Sequence, residues 1–204
     1  TCSTTGDNDT LASIGWPSAC PNIASGSCNG TLAHCGDVAS CVLCIQETAA
    51  DQAIDLYYDA FASTSDPVVR KCQRAIGKET AKYFDAERKA LGKCVSTVLV
   101  NGTGSCPNAS AQAAIAKAEA KKIQKICAAC GGPDKACGGS DDLTVAQIGF
   151  APNCPAVDPP GSAPACGGAV STLANVVACV DCVTAFEAEC ASAASAPAAG
   201  AYPV

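Results

Sequence analysis

The chain has 204 residues and a formal net charge of −6, with 17 cysteines, 4% aromatic residues and no methionine. So few large apolar side chains cannot supply the main stabiliser; cross-links are the substitute, and so many thiols argue against a reducing cytosol. No run approaches the roughly eighteen apolar residues that cross a bilayer, and a single histidine, His34, excludes metal sites built on several histidines.

The first segment, residues 6–21, reads GDNDTLASIGWPSACP, and a helix around residues 38–61 follows it, carrying Cys41 and Cys44 in VASCVLCI. Asp66-Pro67 then starts a second helix, with an acidic cap and proline at the first turn. Val69, Cys72, Ile76, Tyr83, Leu91, Cys94 and Val98 fall on one of its faces. The segment VNGTGSCPNAS is a loop that closes at Cys106. A third helix, residues 110–130, is rich in Ala and Lys and ends at the paired glycines of CGGPDKACGG. Residues 139–155 read GSDDLTVAQIGFAPNCP, and a last helix is expected near residues 171–190 around VVACVDCV, before the Ala/Pro-rich tail of residues 191–204.

The two ends match. Ile14-Gly15-Trp16 precedes Cys20 at the spacing at which Ile148-Gly149-Phe150 precedes Cys154, and Cys28 and Cys41 are spaced like Cys166 and Cys179. Each pair is followed by a C-x-x-C partner, Cys44 or Cys182. The expected fold is therefore all-α, a disulfide-stapled helical repeat of about one and a half units of ~135 residues with Cys/Gly/Pro-rich loops. Its parts are an acidic half-unit at 1–66, a basic two-helix unit at 67–136, a second acidic half-unit at 137–190 and the tail. A duplication closed within one monomer and an unfinished array completed by a neighbour both fit this pattern.

Charge follows the same division. Residues 1–69 hold eight acids and no base, residues 70–135 hold 13 bases and five acids, and residues 136–204 hold six acids. Arg70, Arg74, Lys78 and Lys82 form one row at helical spacing, and Lys117, Lys121 and Lys125 another, so each middle helix should show a basic stripe. Opposed blocks can neutralise each other at home or steer one molecule onto the next. Nucleic acid is a poor partner for such a chain, because the acidic blocks repel phosphate and stacking aromatics are few.

Seventeen cysteines cannot all pair within one chain. Cys20, Cys28, Cys41, Cys44, Cys72, Cys94, Cys106, Cys127, Cys130, Cys137, Cys154, Cys166, Cys179 and Cys182 are expected in disulfides, as is Cys2, with the connectivity open. Cys35 and Cys190 have no counterpart in the matching end, and Cys2 lies beside the N-terminus, so these three are the candidates for an unpaired or inter-subunit thiol. Zinc, thioredoxin-like redox chemistry and c-type haem are disfavoured. The C-x-x-C pairs lie in helical sequence, no βαβ setting surrounds them and no histidine follows them. The sequons at Asn8, Asn29, Asn101 and Asn108 lie in loop-like sequence and are potential glycosylation sites.

The motif order KCQRAIGKETAKYFDAERKALGKC, CP, KICAACGG, DDLT-x-x-x-IGF-x-x-x-CP and a C-x-x-C helix resembles uncharacterised secreted Cys-rich repeat proteins of environmental, proteobacterial-type bacteria. That resemblance implies an exported repeat protein and no catalytic activity. The start at Thr1 in a chain without methionine fits a processed product whose leader has been removed. These observations point to an extracellular structural protein, a subunit of a head-to-tail filament or surface array, with itself as partner and no cofactor. A monomeric binding module for a polyanionic glycan is the alternative, and no residues suited to enzymatic catalysis stand out.

Overall fold

The computed structural model describes residues 10–12, 14–20, 28–58, 63–157 and 165–195. Helices dominate: α1 Cys35–Tyr58, α2 Pro67–Asn101, α3 Ala109–Cys130, the single turn α4 Val145–Ile148 and α5 Leu173–Ser195. The strands β1, Asn153–Cys154, and β2, Gly168–Ala169, pair antiparallel.

Helix α2 starts where the sequence predicts. Asp66 accepts from the amides of Val68 at 2.7 Å and Val69 at 3.4 Å, and Pro67, which has no amide to satisfy, takes the first turn. Gly102, in the left-handed region at φ 67°, ends it. Helix α3 is capped by Asn108, whose side chain accepts from Ala111 N at 3.0 Å. It stops at Gly131, where an added Cβ would lie 1.9 Å from the carbonyl oxygen of Ala136. Cys72–Cys130 joins the start of α2 to the end of α3, and Cys94–Cys106 ties the end of α2 to the loop before α3. The two helices therefore form an antiparallel hairpin fastened at both ends.

Into this hairpin packs α5, together with the α4 turn. Ile76 of α2 and Ile126 of α3 share a core with Ile148, Leu173, Val176 and Val180, all 0–1% exposed. A side-chain hydrogen bond, Gln73 Nε2 to Ile148 O at 2.8 Å, fixes the turn against α2. A smaller second core holds Cys20, Cys28, Leu32, Cys41 and Ile45, with Leu11 and Trp16 against it. Helix α1, which carries part of this core, packs against α5 and touches α2.

Boundaries differ from expectation in three places. Helix α1 starts at Cys35 rather than 38, because Asp37 caps it from inside its first turn, accepting from Ala33 N at 2.8 Å and His34 N at 3.1 Å; its expected end at 61 lies outside the described residues. Helix α5 runs to Ser195, into the segment read as tail, since nothing in its alanine-rich sequence breaks a helix before Pro197. Asn101 is the last residue of α2 rather than a loop residue.

Candidate functional site

Seven disulfides join described residues, and two pairs of them have the same form. Cys20–Cys41 and Cys28–Cys44 hold the N-terminal segment to α1; Cys154–Cys179 and Cys166–Cys182 hold the C-terminal segment to α5. In each case a C-x-x-C on the helix receives two cysteines from the loop before it. An isolated bridge pairs Ala19 with Thr31 as β1 and β2 pair Asn153 with Ala169. The glycine turns agree as well. Gly15 lies at φ 73° and Gly149 at φ 74°; Trp16 N donates to Leu11 O at 2.8 Å, and Phe150 N to Val145 O at 3.2 Å. Asn175 caps α5 from Ser171 N and Thr172 N just as Asp37 caps α1.

What covers the two segments is not the same. Ile148 is fully buried beneath α2, whereas its match Ile14 is 40% exposed. Along α5, Val177 is buried and Asp181 and Ala185 are half-buried; the matching Ala39, Leu43 and Glu47 on α1 are all exposed, Leu43 at 55%. The N-terminal segment thus presents outward the stripe that its counterpart turns inward. Further exposed apolar side chains stand at the end of α2, Leu99 at 55% and Val100 at 85%, beyond the exposed cations Arg88, Lys89 and Lys93.

The seam between the hairpin and α5 holds a charged cluster that the sequence reading did not single out. Lys122 of α3 is 1% exposed and pairs with Asp181 of α5, its ammonium 4.2 Å from the centroid of the Tyr83 ring. Burial lowers the Lys122 pKa, and the Asp181 carboxylate opposes that shift. Burial raises the Tyr83 hydroxyl above its usual range, with Glu87 adding to the effect. Burial also lifts Glu87 to about 7, while the hydrogen bond to Tyr83 acts the other way. Further along α5, burial raises Glu187 to about 8 and Glu189 to about 7.

The predicted basic residues Arg70, Arg74, Lys78, Lys82, Lys117, Lys121 and Lys125 are all exposed. Lys82 meets Lys117 and Lys121 across a groove between α2 and α3, floored by alanines and Tyr83; Lys125 does not line it. Lys82 is partly neutralised by Glu79 at 2.8 Å.

Among the cysteine candidates, Cys35 is disulfide-bonded, so lacking a counterpart in the other segment does not leave it open. Cys190 is free but buried, and burial followed by the Glu189 and Glu187 carboxylates raises its thiol to about 12. A buried thiol held protonated is unsuited to an inter-subunit bridge. Cys127–Cys137 completes the bridges of the basic unit. Asn29 and Asn101 are exposed, and Asn108 is engaged as a helix cap. Cys2, Asn8 and the chain beyond Ser195 lie outside the described residues. Among the described residues no group of three His, Cys, Asp or Glu side chains is placed to hold a metal ion, and no helix is long and apolar enough to cross a membrane. No protein-family model, no curated protein and no solved structure matches this chain.

Proposed function

We propose that this is an extracellular structural subunit that joins copies of itself head to tail. The chain is read as two copies of one half-unit flanking a basic hairpin. The observation that carries the reading is the unequal cover of matched residues: Ile148 is buried against the hairpin, while Ile14 is 40% exposed, and on α1 Leu43 is 55% exposed. An apolar face that its twin buries is an interface awaiting a surface.

The occupant is a second copy, and charge indicates where it sits. Residues 1–69 carry acids and no base, and Asp37 and Glu47 belong to the open half-unit; Leu99 and Val100 sit at the end of a helix bearing Lys93 and, further back, Arg88 and Lys89, which share the single carboxylate of Asp85 and keep a net positive charge. Two unlike patches, one acidic and one basic around an apolar centre, make a heterologous contact, which propagates when its rotation does not close a ring. The disulfides that replace a large core fit an oxidising, extracytoplasmic setting. With Cys35 bonded and Cys190 buried, the contact proposed is non-covalent.

Sedimentation velocity over a concentration series, with negative-stain microscopy, tests this. The native protein should grow into linear oligomers, and Ile14→Ser/Leu43→Ser should remain monomeric with unchanged helical circular dichroism. A native protein that stays a sharp monomer at every concentration would end the proposal. The groove of Lys82, Lys117 and Lys121 favours a second reading, retention of a polyanionic glycan, read out as salt-sensitive binding to an anionic polysaccharide column.

A further inference from the structure

We propose that Lys122 makes the hairpin of α2 and α3 selective for a half-unit carrying a carboxylate at the position of Asp181, so that half-units carrying Leu43 there are refused. The inference rests on the equivalence of the two half-units, and it deepens the assembly reading by naming what keeps the wrong half-unit out of the hairpin.

Both half-units offer the hairpin the same framework. Each carries an Ile-Gly-aromatic turn and a crossed pair of disulfides to a C-x-x-C on its helix. Along the seam they differ at several positions, Ala39 for Val177, Gln46 for Thr184 and Glu47 for Ala185, and also where Lys122 is paired. Lys122 is 1% exposed and forms its ion pair with Asp181. Two further carboxylates, Glu119 and Glu87, also act on its charge, but Asp181 is the one that pairs with it. Tyr83 presents a ring face; Glu87 is hydrogen-bonded to Tyr83; Glu119, on α3 itself, interacts with Asp181; and Glu189 of α5 faces Glu87. In the N-terminal half-unit the residue matching Asp181 is Leu43.

Seating that half-unit in the hairpin would bury an ammonium against a leucine. A buried charge deprived of its ion-pair partner, with only Glu119 and Glu87 left to oppose it, is disfavoured by about tenfold or more in the docking equilibrium. The pair therefore acts as a register device, as single buried polar groups do in coiled coils, excluding one competitor rather than adding net stability. Its consequence is directional: the open half-unit of one molecule cannot displace the C-terminal half-unit of another, and its apolar face is left for a different surface.

The test exchanges the key. Leu43→Asp/Asp181→Leu moves the carboxylate to the N-terminal half-unit, and Lys122→Met/Asp181→Leu removes the discrimination by making the seam apolar. Light and heavy isotope batches of the full chain are mixed, refolded together and treated with a zero-length carboxylate–amine cross-linker. Inter-copy bridges from Asp37 or Glu47 to Lys117, Lys121 or Lys125 are then counted by mass spectrometry. Both variants should show such bridges about tenfold or more above the native protein. Bridges at the native level in a variant with native helical content would overturn the proposal, as would abundant bridges in the native protein. If the exchanged variant does not fold, the apolar variant decides alone. The assembly reading fails separately: a monomeric native protein sinks it while leaving the exchange result standing, and native fibres without exchange sink only the selectivity.

Discussion

Three carboxylates in this protein titrate far from their ordinary range because the helices around them exclude water. Burial raises Glu87 to about 7, Glu187 to about 8 and Glu189 to about 7, from an ordinary value of 4.5. The folded chain thus keeps protons that the unfolded chain has released, and unfolding is favoured progressively as pH rises between those values. Stability from these groups is fully present below about pH 4.5 and is lost as pH climbs through about 8, the reverse of ordinary acid denaturation. Thermal unfolding followed by circular dichroism should show Tm falling by on the order of 5 to 10 °C from about pH 5 to about pH 8. Glu187→Gln, which cannot ionise, should flatten that slope; an equal slope in the variant would show that the titration lies elsewhere. The lysine beside this cluster was legible in principle. Lys117, Lys121 and Lys125 share one exposed row, but Lys122 is one residue further round and falls in line with Ala111, Ile115 and Ile126, the apolar face of α3. A charge in an apolar register marks a buried charge needing a partner, yet nothing in the sequence identifies Asp181, 59 residues away, as that partner.

At the level of elements, the helices were readable because their ends carry local chemistry: the Asp66-Pro67 start, the glycine stops and the C-x-x-C positions on helical faces. Disulfide pairing was not readable. Cys72 and Cys94 share a face of α2, yet one crosses to the end of α3 and the other reaches only the following loop. That choice depends on α3 folding back antiparallel, a tertiary fact that spacing does not encode. Cys72–Cys130 closes a loop with a sequence separation of 58, the largest among the described bridges. In the chain-entropy picture such a closure stabilises by about 4 kcal/mol. Cys72→Ser/Cys130→Ser should therefore lower the midpoint of guanidinium unfolding markedly, and Cys94→Ser/Cys106→Ser, with a separation of 12, by less. The reverse order would mean that native packing around the bridges, rather than loop closure, sets their worth.

Over the whole molecule the matching cysteine spacing of the two ends was evident from the sequence alone, while the unequal burial of the matched residues was not, because exposure depends on what a neighbour covers. The open stripe of Ala39, Leu43 and Glu47 and the Leu99–Val100 end of α2 are different surfaces, and that difference yields a prediction no symmetric dimer can imitate. Ile14→Ser/Leu43→Ser removes one end of the contact and Leu99→Ser/Val100→Ser removes the other. Each variant alone should be monomeric, since each lacks one of the two surfaces a homotypic contact requires. Mixed in equal amounts, they should form one-to-one dimers and nothing larger: the first keeps its helix tip, the second keeps its half-unit face, and a single intact junction remains between them. Analytical ultracentrifugation of the mixture reads this directly. Raising salt should slow formation of the dimer more than it speeds its decay, because the charges around both patches steer encounter while the apolar side chains hold the joined pair. A mixture that stays monomeric would place the junction elsewhere; dimers of the Leu99→Ser/Val100→Ser variant alone would mean that the open face pairs with itself, and dimers of the Ile14→Ser/Leu43→Ser variant alone that the helix tip does.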